Sequence, residues 1–232
     1  MVAEHIREHR SLLAAAEKRV LIAIARRLPR QIHSDHLTAL ALAAMAAAGA
    51  GYALARWDVR AIWFVVAALA LNWFGDSLDG TLARVRRHER PRYGYYVDHV
   101  LDAVGFACLF GGLMLGGHMS VPLGLGFLTA YYLLVAEISM ATHARGTFRM
   151  AFMKVGPTEL RILLAAGTIQ LMRSDVVTIV GQQWLLFDLG GAIAIAGLVI
   201  AFAASAWRNG VALYRDEPLP VKPAAPNREL LT

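Results

Sequence analysis

The sequence predicts an all-α integral membrane protein with six transmembrane helices. Of its 232 residues, 57% are hydrophobic, and the mean hydropathy is +0.48. Apolar runs recur along the chain at close to the length of about 20 residues that a bilayer-spanning helix needs. This composition is too apolar for an ordinary soluble domain and long enough for several spans. We therefore expect a helical membrane domain preceded by an amphipathic N-terminal surface helix.

The apolar runs set the order of the spans and the domain boundaries. We predict a six-helix transmembrane catalytic domain over residues 37–207, with spans at 37–55, from 61 to the charged segment described below, 95–116, 121–142, 157–172 and 190–207. His33, Ser34 and Asp35 offer capping residues before the first span. Residues 208–232 carry four prolines and are predicted to form a disordered cytoplasmic tail.

The N-terminal segment 1–36 has a different character. Between residues 4 and 30, apolar and basic side chains alternate, so charge interrupts every apolar run. This pattern is typical of an amphipathic helix that lies on a bilayer surface. The alternative is an ordinary solvated helix that packs against the rest of the protein. The sequence alone leaves both interpretations open.

The distribution of basic residues predicts the orientation in the membrane. Nineteen of the 23 Lys and Arg residues fall in the N-terminal segment, the loops that follow spans two and four, and the tail. The opposite loops hold only Arg56, Arg60 and Arg173, and Arg161 lies inside the fifth span. Because cytoplasmic loops carry the excess of positive charge, we expect both termini to be cytoplasmic. Basic loops facing anionic lipid also explain the net charge of +6 without a nucleic-acid partner.

The segment 75–102 carries the most informative chemistry. Asp76 and Asp79 end one apolar run, while Asp98 and Asp102 begin the next. Helical spacings of three and four residues place each pair on one face of its helix. Carboxylates at such depths need cations, mutual partners or a water-filled cavity. An all-oxygen cluster suits Mg²⁺ or Mn²⁺, whereas the alternative is a buried ion-pair network that fixes helix register.

Four further residues of this segment suit a phosphate-bearing ligand. Arg84 follows Gly80 by one helical turn and could hold a phosphate through its planar guanidinium. Gly80, Ala83 and Gly94 are small enough to let a ligand approach the helix backbones. The segment therefore combines candidate metal ligands with a candidate phosphate site.

The pattern D-x2-D-G-x2-A-R-x9-G-x3-D-x3-D resembles the signature of the CDP-alcohol phosphotransferase (CDP-alcohol phosphatidyltransferase) family. All eight fixed positions occur in order: Asp76, Asp79, Gly80, Ala83, Arg84, Gly94, Asp98 and Asp102. The resemblance implies a six-helix membrane enzyme of phospholipid synthesis. Such an enzyme transfers a substituted phosphoryl group from a CDP-linked donor to an alcohol acceptor and releases CMP.

The same resemblance assigns roles to the matched residues. Asp76, Asp79 and Asp98 would be ligands of Mg²⁺ or Mn²⁺, with two ions expected, and Asp102 would be the base. A carboxylate beside a metal serves as either ligand or base, so the division between Asp98 and Asp102 stays open. The remaining four positions would hold the CDP portion of the donor: Gly80, Ala83, Arg84 and Gly94. A homodimer is also implied, and Gly111, Gly112, Gly116 and Gly117 would permit close helix packing.

The acceptor and donor are less defined. His99, Lys154 and Arg161 are the acceptor candidates; a backbone-bonded histidine and lipid-anchoring basic residues are the plainer interpretations of the first two. His99, Thr142-His143 and the run from Gly156 to Glu159 resemble the choline/ethanolamine phosphotransferase branch. That branch implies a small CDP-alcohol donor, whereas other branches use CDP-diacylglycerol.

Two observations limit the remaining classes of protein. The single cysteine, Cys108, excludes an internal disulfide and a multi-cysteine metal site. A transporter or ion pathway is the alternative function, because intramembrane Asp and Arg residues can line a conduit. That alternative predicts charged residues along several spans, and spans one, four and six offer little beyond Glu137.

Overall fold

The computed structural model describes residues 14–145, 157–217 and 219. These residues form helices and one short hairpin, in the order α1 Ala14–Arg27, α2 Ser34–Ala55, α3 Ala61–Arg86, α4 Pro91–Gly116, α5 Val121–Arg145, α6 Pro157–Gln170, β1 Val176–Ile179, β2 Gln182–Leu185 and α7 Leu186–Asp216. Lys154 lies outside the described residues, as does the rest of the range 146–156. We call the region where α3 ends and α4 begins the motif end of the bundle, and the region of the α2–α3 and α4–α5 turns the opposite end.

Helices dominate the described structure, as predicted. Within the described ranges, α2, α3, α4, α5 and α7 are long and apolar enough to cross a membrane. The predicted fifth span forms α6, which has 14 described residues and a length of about 21 Å. This is shorter than the hydrocarbon core of about 30 Å, so a sixth span stays a prediction.

Close backbone contacts join α2 to α4 toward the opposite end. A Cβ atom built on Gly112 would lie 2.0 Å from the Gly49 carbonyl oxygen, and one on Gly116 would lie 2.3 Å from that of Tyr52. Only glycine allows helices to approach this closely. Tyr52 is fully buried beside these contacts and shares a hydrogen bond of 2.5 Å with Thr168 of α6. Close packing therefore fixes α2, α4 and α6 at this end.

The helix α1 packs against α3 near the motif end. Leu21 and Ala25 of α1 are buried in a cluster with Leu37, Leu78 and Leu82. The Glu17 carboxylate accepts hydrogen bonds from the Trp73 indole at 3.0 Å and the Ser77 hydroxyl at 3.2 Å. A helix is thus present over Ala14–Arg27 and contacts the rest of the protein, while the amphipathic surface helix expected within residues 1–36 stays a prediction.

The hairpin was not predicted from the sequence. Strands β1 and β2 pair antiparallel and are joined by Val180 and Gly181, both with positive φ. Such a pair forms the two-residue turn that matches the twist of a hairpin. The helix α7 begins directly after β2, and the Asp188 carboxylate in its first turn accepts a hydrogen bond from the Ser120 amide at 2.7 Å. It continues to Asp216, nine residues past the predicted end of the last span.

Candidate active site

One cavity lies between α2, α3 and α4 and brings together the four aspartates of the motif. Asp76 and Asp79 reach it from α3, and Asp98 and Asp102 reach it from α4. Its volume is about 20 Å³, which is room for an occupant of the size of one water molecule or ion. The rest of the lining is contributed by Thr38, Ala41, Leu42, Met45, Asn72, Leu101 and Gly105.

Asp79 is the most firmly held of these carboxylates. It is only 9% exposed, and its Oδ2 accepts a hydrogen bond of 2.7 Å from the Thr38 hydroxyl of α2. Its Oδ1 lies against the Gly80 amide, which donates to it. A buried carboxylate with two donors is fixed in orientation because any other rotamer would leave its oxygens unsatisfied. Asp79 therefore presents a set geometry to the cavity.

Asp76 meets a cation from α6. The Arg161 guanidinium donates from Nη2 to the Asp76 Oδ2 at 2.7 Å and from Nε to the Asn72 Oδ1 at 3.0 Å. Asn72 in turn donates to the Ala41 carbonyl at 3.0 Å. The Arg161 and Asp76 side chains are 22% and 37% exposed, so this pair is partly shielded from water. Arg161 thereby connects α6 to the acidic cavity.

The donor chemistry of the cavity fits a hard divalent cation, although its geometry is not that of a closed metal site. In the described part of the chain, no three His, Cys, Asp or Glu side chains come close enough together to hold a metal ion. The cavity nevertheless offers oxygen donors almost exclusively: four carboxylates, the Thr38 hydroxyl and the Asn72 amide. Mg²⁺ and Mn²⁺ prefer such donors. Coordination by three carboxylates would require these side chains to move closer together.

A second and larger cavity of about 370 Å³ lies at the motif end. Ala83 lines it, one helical turn beyond Asp79, together with His33, Ser34, Asp35, Leu82, Arg86, His88, Glu89 and Arg90. The guanidinium of Arg84 folds back toward Gly80, since a Cβ atom there would lie 3.3 Å from its Nη1. Its Nη2 donates to the Thr81 hydroxyl at 3.2 Å. Gly94 is not among the residues that line these two cavities, and no described atom of another helix lies within 4 Å of the place where its Cβ would be.

The three acceptor candidates differ in their position relative to the acidic cavity. Arg161 reaches the acidic cavity through Asp76, as described above. The His99 ring nitrogen Nδ1 lies 2.8 Å from the Tyr95 carbonyl oxygen, and the two rings pack with centroids 4.1 Å apart. His99 thus makes the backbone contact expected of the plainer interpretation. Lys154 cannot be placed because it is outside the described ranges.

Thr38, Asn72 and Arg86 belong to these cavities but were not singled out from the sequence. Asn72 precedes Asp76 by four residues, so it shares the motif face of α3. A buried amide inside an apolar run was a usable signal, because polar side chains in a membrane span need partners. Thr38 and Arg86 carry no comparable local signal, since their partners lie 41 and more than 50 residues away.

Together these features describe a protein of long apolar helices whose four motif carboxylates line one cavity, beside a larger cavity that is lined by both basic and acidic side chains. The family model of the CDP-alcohol phosphatidyltransferases matches residues 32–207, and the chain belongs to this family. Membership confirms the resemblance seen in the eight-position motif and identifies a transferase family of phospholipid synthesis that is generally dependent on divalent metals. A comparison with curated proteins finds no match for this chain. The family favours the transferase over the transporter alternative.

Proposed function

We propose that this protein transfers a substituted phosphoryl group from a CDP-linked donor to an alcohol acceptor and releases CMP. The observation that carries the proposal is the shared cavity of Asp76, Asp79, Asp98 and Asp102, which come from two helices and match the family motif in order. The donor is CDP-diacylglycerol or a small CDP-alcohol. The acceptor is an alcohol that reaches the site from the membrane or from its surface.

The neighbouring cavity supports a place for the nucleotide. Its volume of about 370 Å³ falls in the range of about 300 to 1,000 Å³ that small-molecule sites occupy. Ala83 contributes only a small side chain to its wall, and the charged lining consists of Arg86 and Arg90 together with Asp35 and Glu89. A cytidine placed there would direct its pyrophosphate toward Asp79, one turn away along α3. Arg84 then lies at Gly80 as a phosphate ligand with a planar fork.

The reaction assigns separate tasks to the residues of the acidic cavity. The acceptor oxygen forms a bond to the phosphorus that carries the donor alcohol, and the bond from that phosphorus to the CMP oxygen breaks. Asp102 receives the acceptor proton, with Asp98 as the alternative base. Asp76, Asp79 and Asp98 would hold Mg²⁺ or Mn²⁺, with two ions expected and Asp102 as a further ligand. Bound cations supply the charge that offsets the pyrophosphate and the leaving CMP.

Arg161 is the best supported acceptor residue. Its guanidinium already lies at the edge of the acidic cavity through Asp76 and Asn72, and a phosphate on the acceptor would offer it a stronger partner. His99 and Lys154 complete the acceptor set of this proposal. We further propose that both termini and the site face the cytoplasm and that the enzyme is a homodimer, on the grounds of the basic loops and of family membership.

The test is CMP release by the purified protein in detergent or lipid vesicles. Mg²⁺ or Mn²⁺ is supplied with a matrix of CDP-linked donors and alcohol acceptors, which also identifies the substrates. Asp98→Asn should lower kcat by roughly 10² to 10⁴, the range observed when an acid–base group is removed. Asp58→Asn is the matched control, because this exposed aspartate lies in the α2–α3 turn at the opposite end. Full activity in Asp98→Asn would refute the assigned site.

A further inference from the structure

Arg86 makes an unusual set of contacts at the end of α3. Its Nη2 donates to the carbonyl oxygens of Leu28 and Pro29, both at 2.9 Å, and its Nη1 donates to that of Ile32. All three acceptors belong to the short connection between α1 and α2. A guanidinium supplies several donors in one rigid plane, so a single side chain can hold several carbonyl groups at once.

The connection directly follows the C-terminal end of α1, where a positively charged side chain is stabilised. The helix α1 ends at Arg27, and the last carbonyl groups of a helix lack intrahelical partners and carry partial negative charge. Arg86 is the cation that the structure places against the chain immediately after α1. The other side of the connection leads without a break into His33, Ser34 and Asp35. The hydrogen bonds from Arg86 to residues 28–32 therefore also restrict the position of the residues at the start of α2.

These first residues of α2 form one wall of the cavity of about 370 Å³, and the end of α3 forms another. Arg86 lines the cavity itself and bonds across to the connection that carries the first wall. Arg90 adds a second link through its ion pair with Asp35. That pair is half exposed on both sides, so it holds the walls less firmly than the carbonyl contacts of Arg86.

We propose that Arg86 is a positioning residue for the nucleotide part of the donor, acting through the wall that it fixes. The inference rests on the proposed function, since it needs a CDP-linked donor in this cavity. Without Arg86, residues 28–35 keep the apolar packing of Leu28 and Ile32 but lose the hydrogen bonds that fix their backbone against α3, so donor binding must order that backbone. Such ordering weakens binding without changing the chemistry at the aspartates. Loss of Arg86 should therefore raise the KM for the donor more than it lowers kcat.

The experiment compares Arg86→Gln, Arg86→Lys and Arg30→Gln in the full-length protein. Arg30→Gln is the matched control, because it removes the same charge from an exposed position in the same connection. We expect Arg86→Gln to raise the donor KM about tenfold, as lost hydrogen bonds to a charged group would. The KM for the acceptor and kcat should change less than about twofold. Arg86→Lys keeps the positive charge, so its donor KM should lie between that of the unmodified protein and that of Arg86→Gln.

Several results would overturn this inference. Equal increases of the donor and acceptor KM, a loss confined to kcat, or donor kinetics in Arg86→Gln equal to those of Arg30→Gln would each contradict it. If Arg86→Gln fails to fold, the comparison passes to Arg86→Lys, whose stabilisation by CMP in thermal unfolding should be smaller than that of Arg30→Gln. Equal stabilisation would refute the inference. Absence of CMP release by the unmodified protein would instead refute the proposed function.

Discussion

The two ends of the α2–α3–α4 bundle are built in opposite ways. At the opposite end, Gly112 and Gly116 of α4 lie directly on the α2 backbone, and the core there is apolar and fully buried. At the motif end, polar side chains line two cavities between the same helices. At this end α2 and α3 still approach closely, since a Cβ atom on Gly75 would lie 2.7 Å from the Leu37 carbonyl oxygen, and the hydrogen bond from Thr38 to Asp79 also joins them. Between α2 and α4, however, direct backbone contact at one end contrasts with a cavity lined by polar groups at the other.

This difference shows how a bundle of apolar helices can accommodate charged side chains whose burial is energetically unfavourable. Carboxylates repel one another and are costly away from water, so they favour separation of the helices that carry them. The glycine contacts hold α2 and α4 together at a distance from the charges. The packing at one end can thus compensate for the repulsion at the other. The comparison predicts that substitutions at the two ends will affect different properties, namely stability at the packed end and ligand binding at the polar end.

The largest effect is expected for Gly112→Ala. The added methyl group would overlap the Gly49 carbonyl carbon and oxygen, which are backbone atoms and cannot rotate away. The two helices must then separate, and overpacking of this kind costs about 1 to 3 kcal/mol or more. We expect a clear decrease in the thermal unfolding temperature in detergent, and with it a reduced yield of folded protein.

Gly111→Ala is the matched control for this prediction. This substitution at the neighbouring position is the same chemical change, but no described atom of another helix lies within 4 Å of the new methyl group. Alanine also has the higher helix propensity, so the control should be neutral or slightly stabilising. Equal unfolding temperatures for the two variants would show that the α2–α4 contact does not limit stability.

A smaller effect, confined to binding, is expected for Arg84→Lys at the motif end. Lysine keeps the positive charge but loses the planar fork, so a phosphate held by two parallel hydrogen bonds would keep only one. The donor KM should rise by about tenfold, which corresponds to about 1.4 kcal/mol. The unfolding temperature should not change, because Arg84 is exposed. An unchanged donor KM would indicate that Arg84 only offsets the charge of the carboxylates.

Local periodicity explains how much of this architecture could be predicted. The spans follow from apolar length, and the pairing of aspartates on one face follows from helical spacing. The glycines show where this reasoning ends, because Gly111, Gly112, Gly116 and Gly117 were treated alike. In the structure, Gly112 and Gly116 contact α2, Gly111 faces open space, and Gly117 ends α4 with a φ of 77°. Spacing identifies a small-residue surface but does not identify its partner.

Two unpredicted features of the site depend on contacts distant in sequence. Arg161 meets Asp76 only because α6 folds back on α3, and Arg86 meets Leu28 across 58 residues. The hairpin was not predicted for a different reason: the strand Val176–Ile179 has only four residues and is not recognisable as a separate element beside the long apolar runs. Its turn at Val180 and Gly181 lacks the usual Asn or Asp before the glycine. Charge and hydropathy thus locate the helices, whereas the site is completed by tertiary contacts.

The smallest expected effect concerns His118, between α4 and α5 at the opposite end. Burial lowers the pKa of its imidazole, and the negative charge of Asp175 and the Tyr52 carbonyl oppose this only in part. Neither ring nitrogen forms a hydrogen bond of normal geometry within the described structure. The unfolded chain takes up a proton near pH 6.5, as a free histidine does, and the folded protein does so only at lower pH. Stability should therefore be complete above about pH 6.5 and decrease as the pH falls through the lowered pKa.

His118→Gln removes this titration and isolates its contribution. We expect the unfolding temperature of the unmodified protein to decrease more between pH 7.5 and pH 5.5 than that of the variant. His143→Gln, at an exposed position on α5, should retain the full dependence. If His118→Gln and the unmodified protein lose the same stability on acidification, protonation at the packed end is not what destabilises the fold.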